Sequence, residues 1–487
     1  MKIPDKETPG GRFYTRMVFS STVFLFIFLP ITWLLYTLIP QRGSGLIWKN
    51  ALLSVVSLIF YAYGEPIYMI LMIASVMFNY FAALLLSWQK GRLRKVVFII
   101  AIVTDLASLC FFKYVPWLTR VINSAFSLSL TVPAYTIPVG ISFYTFQILS
   151  YVADVYMGKT EVQNNFLDLF LYISFFPQLI AGPIVKYGSI KEQLAHRESN
   201  VDKTALGIRR FIFGLSKKVL ISNTAAIIAA AAFDAAEPSS LLAWSGAVCY
   251  CIQLYFDFSG YSDMAIGLAL IFGFELSENF NYPYSAVTIR DFWKRWHISL
   301  TSWFREYVYF PLGGNRRGKV RTVVNRLIVF FLTGLWHGAN FTYILWGMWH
   351  GFLMMFEQVT NLGKLAEKRI LRPLLRIYTL MCVMLGFVVF NARSIGHAFD
   401  YIGRMFSFSG QAADALSYFS PYMCLMLALG VIFSLPVTPK VKALTSNGGR
   451  LEKTAQALSY IVCVPLFALC VMSLASSAFN PFIYYIF

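Results

Sequence analysis

Charge is what this sequence has least of. Asp, Glu, Lys and Arg make up 13% of its 487 residues, against about 25% in a soluble domain. No segment is both polar and long enough to fold separately in water. Acids are scarcer than bases, 23 against 41. The seven cysteines, Cys110, Cys249, Cys251, Cys382, Cys424, Cys463 and Cys470, show no Cys-x-x-Cys ligand spacing and lie mostly in apolar stretches, so core packing is expected of them. There is no His-Glu-x-x-His zinc motif, no Walker phosphate loop and no Gly-x-Ser-x-Gly nucleophile elbow, which leaves covalent serine catalysis without a basis. No repeat of fixed period is visible, and no inverted repeat supports a transporter.

What is abundant is hydrophobic surface, 58% of residues, with 17% aromatic. Apolar runs of about 17 to 25 residues, the length a helix needs to cross a bilayer, recur from Val18 onward. Counted by window, they predict an all-α integral membrane protein with about ten to twelve transmembrane helices plus re-entrant or interfacial ones. The first run, 18–40, follows a basic tail with Lys2, Lys6, Arg12 and Arg16. It is longer than a signal peptide's apolar region and ends without a small-residue cleavage site, so it reads as a retained anchor; Met17 is an alternative start. The expected organisation is a basic tail at 1–16, a core at 17–358 and C-terminal transmembrane helices at 359–487. The segments 166–183 and 288–312 are expected to enter the membrane without crossing it. The net charge of +18 is dispersed over short loops such as 88–95 and 368–376. That is the pattern of cytoplasmic loops and of contact with anionic lipid or a phosphorylated donor, not of nucleic-acid binding.

Three places interrupt the apolar pattern. In 253–267, Asp257 and Asp263 sit beside Ser259, Gly260 and Ser262. A carboxylate deep in a bilayer costs at least ~2.5 kcal/mol, so these face protein or water; the structural expectation is that they accept hydrogen bonds from a broken helix. In 288–319, Phe292, Trp296, Leu300, Trp303 and Tyr307 share one helical face, with Asp291, Lys294, Arg295, Ser302 and Arg305 opposite and His297 beside the aromatic side in a row with Trp293 and Phe304. This suits a helix at an interface or lining a wet cavity. From Arg290 to Arg326 there are nine Lys or Arg against two acids, which places the segment toward the cytoplasm.

The third place is 326–356, where Trp-His-Gly occurs twice, at 336–338 and 349–351, in a chain with five histidines. Were the backbone helical throughout, His337 and His350 would lie ~20 Å apart along the axis and face largely opposite sides, so at most one is central to a reaction. A neutral imidazole can take a proton from a hydroxyl as it attacks a thioester carbonyl, and an apolar site excludes the water that would hydrolyse the donor. Taken alone, a histidine in a Trp-rich helix is more often a satisfied core or interfacial residue.

At these residues the sequence resembles the membrane-bound O-acyltransferase family, in its alginate O-acetyltransferase type of membrane subunit. The likeness runs through 17–30, 137–158, 175–187, 253–274, 280–316 and 334–351, covering about 17–358. It implies a ring of tilted helices around a central tunnel, with His337 as the catalytic histidine and His297 as a second catalytic residue. Trp336, Asn340, Arg295, Asp257 and Asp263 are the substrate-binding candidates, while no role attaches to His350. It further implies acetyl transfer from a cytoplasmic donor, acetyl-CoA, entering as substrate with no cofactor or metal bound, for O-acetylation of an exported polysaccharide. A separate extracytoplasmic serine-hydrolase-like acetyltransferase is the expected partner, and the cytoplasmic (inner) membrane the expected location. The alternatives are a D-alanyl transfer subunit for teichoic acids and, from another class, a transporter of glycan or ions.

Overall fold

The computed structural model describes residues 17–41, 44–445 and 449–476. The basic tail expected at 1–16 and the chain from residue 477 lie outside the described residues. Among those described, every regular element is helical. Seven helices are long and apolar enough to cross a membrane: Gly45–Gly64, Pro66–Trp88, Gly91–Phe126, Val201–Asp234, Ser240–Ile271, Arg369–Asn391 and Arg450–Ser476. The pair Pro421–Ser434 and Val437–Thr445, bent by 62°, makes an eighth if it forms one span. The remaining apolar runs fold into shorter pieces. The first gives only Phe24–Leu38. The 166–183 region gives Phe166–Ser174 and Phe176–Leu179, too short for the roughly 20 residues a crossing needs. The structure is that of an all-α multi-pass membrane protein.

The described chain divides into two compact units, one holding residues up to 211 and 264–277, the other 212–263 and 278 onward. The first unit has an aromatic core. Phe19, Phe24, Phe28, Phe60 and Phe176 meet with ring centroids 5.0 to 6.4 Å apart. The helix Ile141–Tyr156 is buried on every side from Ile141 to Val152. It starts at Gly140, whose φ of +74° favours glycine and where a Cβ would lie 2.7 Å from the Leu179 carbonyl oxygen.

The second unit packs Asn223–Asp234, the 240–263 part of the helix Ser240–Ile271, Gly318–His337, Phe341–Val359 and Arg372–Asn391 around one apolar core that includes Tyr255, Trp293, Trp296, Phe330, Trp346 and Phe390. Gly318–His337 and Phe341–Val359 form a tight hairpin. Their backbones touch: a Cβ at Gly347 would lie 2.3 Å from the Phe330 carbonyl oxygen and 3.1 Å from the Gly334 Cα. Trp-His-Gly 336–338 therefore ends a helix instead of lying inside one. Gly338 is extended, and Asn340 caps the next helix by accepting from Thr342 N at 3.2 Å.

Two expectations are corrected in this unit. Ser240–Ile271 is one uninterrupted helix, so Asp257 and Asp263 do not serve a helix break. They pair with lysines: Lys218 Nζ is 2.6 Å from Asp257 Oδ1, and Lys217 Nζ is 2.6 Å from Asp263 Oδ2. Both lysines sit on the π-helical turn Lys217–Ser222. There Gly260 lets the two helices approach, a Cβ being 2.7 Å from Gly214 O. Equally, 288–309 is not one helix. Ile289–Arg295 and Ile298–Phe304 are separated at Trp296-His297, with a π-helical turn Arg305–Tyr309 following. Phe292, Trp296, Leu300 and Trp303 are nonetheless buried on both sides of the break, because the kink redirects the apolar stripe without exposing it. Of the cysteines, Cys249, Cys463 and Cys470 are buried, whereas Cys110 and Cys424 are exposed.

Candidate active site

His337 is the last residue of its helix and is 4% exposed. Its imidazole is enclosed by rings: Trp336 at 4.8 Å, Trp346 at 5.0 Å and perpendicular, and Phe390 at 5.2 Å between centroids. Ending the helix at this residue turns the chain at Gly338, and the returning helix brings Trp346 onto the ring. The sequence alone supplied His337 but not this box.

His297 occupies the break between two short helices and is fully buried. Its backbone is left-handed, φ 43° and ψ 57°, a region where histidine is tolerated better than branched residues. Phe258 meets the imidazole edge-on at 4.7 Å, and Trp336 lies 5.9 Å away. The row with Trp293 and Phe304 expected of a continuous helix is interrupted, because the helix breaks at this residue. Burial holds the His297 pKa well below the ordinary histidine value, so the ring is neutral at physiological pH. The indole of Trp336 touches both His297 and His337, which draws three of the expected site residues together.

The segment carrying His297 is fixed from several sides. Thr288 caps Ile289–Arg295 by accepting from Asp291 N at 3.0 Å. Glu357, on the returning helix of the hairpin, accepts from Ile289 N at 2.5 Å and Arg290 N at 3.2 Å. The two sides of the break are tied to the same stretch of chain: Arg295 O accepts from Asn281 N before it and Asn279 O accepts from Ile298 N after it, both at 2.9 Å. Asn279 Oδ1 lies 3.2 Å from His297 Nδ1.

The other candidates divide differently. Asn340, half-buried, uses its oxygen as a helix cap and its amide to donate to Arg393 O at 3.3 Å. Arg295 pairs with Asp291 at 2.9 Å one turn back. Asp257 adjoins Phe258, which packs on His297, but its carboxylate is held by Lys218. His350 lies closer to His337 than a continuous helix would allow: Trp346 touches both, at 5.2 Å and 5.0 Å. It is packed against Trp293 at 5.3 Å, and neither ring nitrogen has a hydrogen-bond partner among the described residues. Sequence reasoning missed Asn279, Phe258, Phe390, Lys217 and Lys218. Of these, only the lysine pair carried a signal, since two cations inside an apolar run call for buried acids.

Fold and site together define a multi-pass helical membrane protein with two buried neutral-capable imidazoles against one indole. Comparison with known proteins gives the class a family. The profile of the membrane-bound O-acyltransferase family matches residues 160–395. The "probable alginate O-acetylase AlgI" of Pseudomonas aeruginosa is 44% identical over 80% of this chain and 75% of its own length. That of Azotobacter vinelandii is 38% identical over 97% of this chain and all of its own length. The peptidoglycan O-acetyltransferase of Helicobacter pylori is 34% identical over 82% of each chain. The chain belongs to the membrane-bound O-acyltransferase family and is an O-acyltransferase.

Proposed function

We propose that this enzyme transfers an acetyl group from acetyl-CoA, taken up on the cytoplasmic side of the inner membrane, for O-acetylation of an exported polysaccharide. The observation that carries the reading is His337, buried at a helix end in an aromatic box and sharing Trp336 with His297, in a chain similar over most of its length to proteins named as O-acetylases. Identity is higher to the relatives named for alginate than to the one named for peptidoglycan, which favours an alginate-like glycan.

In the proposed chemistry, His337 accepts the proton of an acceptor hydroxyl as its oxygen attacks the thioester carbonyl. The C–O bond forms, the C–S bond breaks, and the thiolate of CoA takes up the proton. His297 shares the site, and Trp336 fixes the spacing of the two imidazoles. The aromatic walls keep out water, which would otherwise take the acetyl group. The excess of bases in 290–326, nine against two acids, supports an anionic donor approaching from the cytoplasm. A separate extracytoplasmic serine-hydrolase-like acetyltransferase completes transfer to the glycan, and co-purification from native membranes tests for it.

The deciding measurement is ester-linked acetate on exported glycan in the native host, comparing wild type with His337→Ala and His350→Ala at matched membrane abundance. Loss with His337→Ala alone is expected. Unchanged acetate in both variants would overturn the reading, and loss of wall-bound D-alanine instead would reassign the transferred group.

A further inference from the structure

We infer that Asn279 is a positioning residue that fixes the tautomer of His297, so that Nδ1 carries the proton and Nε2 presents its lone pair to the site. The inference rests on the role proposed for His297 above. Asn279 is fully buried in the chain leading into the site. Its side-chain oxygen is identified by what approaches it. The backbone N–H of Ser299, which can only donate, lies 3.1 Å away, and the Ser299 hydroxyl lies 2.9 Å away. Reversing the amide would set its NH2 against a backbone N–H, so the atom facing Ser299 is the acceptor.

That same oxygen is 3.2 Å from His297 Nδ1. An amide oxygen has no proton to give, so the bond exists only if Nδ1 donates. In a neutral imidazole the other nitrogen then bears the lone pair. Ser299 Oγ, 3.5 Å from Nδ1, is also on the acceptor side of that proton. The backbone takes part as well: Asn279 O accepts from Ile298 N at 2.9 Å, immediately after the left-handed His297. One asparagine therefore sets both the direction and the proton of this ring. The amide nitrogen of Asn279 has no hydrogen-bond partner among the described residues, so the contacts made here use the oxygen alone. Of the charged groups on the elements packed around His297, Lys218 pairs with Asp257, Lys217 with Asp263 and Arg295 with Asp291; Arg290 and Lys294 stand on the helix before it, and His337 touches the same indole.

The test uses Asn279→Ala, Asn279→Asp, Ser299→Ala, His297→Ala and His337→Ala in the full-length protein in its native membrane, at matched abundance. Glycan acetate is measured in cells, and CoA release from acetyl-CoA is followed in membranes from the same cells. Asn279→Ala is expected to lower kcat about 100-fold with KM unchanged, and Ser299→Ala less than tenfold. Asn279→Asp keeps the acceptor and adds a charge that favours imidazolium. It should restore acetate to within tenfold of wild type, a rescue that a merely structural role for the amide would not give. Wild-type acetate in Asn279→Ala, or equal loss in Asn279→Asp and Asn279→Ala, would each overturn the inference. If His337→Ala and His297→Ala are inactive while the Asn279 variants are normal, only the positioning role fails. If both histidine variants are normal, the functional reading itself fails and the inference falls with it.

Discussion

Gly347→Ala should damage the site without touching it. A methyl group at this position would lie 2.3 Å from the Phe330 carbonyl oxygen and 3.1 Å from both Cα and N of Gly334. Ordinary contact begins near 3.4 Å, so something must move by about 1 Å. The obstacles are backbone atoms, which cannot rotate aside as a side chain can, and the two helices of the hairpin must part. Overpacking of this kind costs about 1 to 3 kcal/mol. His337 lies three residues beyond Gly334, and Trp346, which immediately precedes Gly347, touches it at 5.0 Å. The displacement therefore passes directly to the imidazole. A misplacement of about 1 Å lowers rates on the order of 100-fold. The assay is acetate incorporation at matched membrane abundance, with the melting temperature of the purified protein measured alongside. Gly363→Ala, where no atom lies within 4 Å of the added methyl, is the control. Wild-type activity and melting in Gly347→Ala, or equal loss in the control, would refute the close-approach argument.

Three further outcomes follow from the packing. Lys218→Met leaves the buried Asp257 without its cation and should destabilise by about 3 to 5 kcal/mol; adding Asp257→Leu should recover most of the lost melting temperature, and a double variant no better than the single one would count against the pair. His350→Phe, inside a shell of Trp293, Trp346 and Phe330, removes two buried nitrogens that have no partner among the described residues. It should hold stability within about 1 kcal/mol and keep acetate transfer, which a loss as severe as that of His337→Ala would contradict. Asn340→Ala removes a helix cap worth about 1 kcal/mol; a melting shift with modest loss of activity is expected, whereas loss equal to His337→Ala would make Asn340 a direct contact with substrate.

The sequence by itself determined the class of protein, because apolar length against bilayer thickness is a one-dimensional property. Scarce charge and recurrent long apolar runs require membrane-spanning helices wherever the chain folds. Among the described residues, Arg369–Asn391 and Arg450–Ser476 are C-terminal helices of that length. The motif residues His337 and His297 were also legible, through the resemblance to an acyltransferase family.

What periodicity could not reveal was where helices break and what faces each break. The 3.6-residue pattern at 292–307 continues through His297, yet the backbone turns left-handed there, held by Asn279 from eighteen positions earlier in the chain. The same holds for Trp-His-Gly 336–338. A hairpin closing on Gly334 and Gly347 brings Trp346 against His337, where a continuous helix would have carried it away. Asp257 and Asp263 owe their state to Lys218 and Lys217, about forty residues earlier. A buried charge or an imidazole takes its protonation and direction from whatever lies within about 3 Å, and only the tertiary structure decides which residue that is.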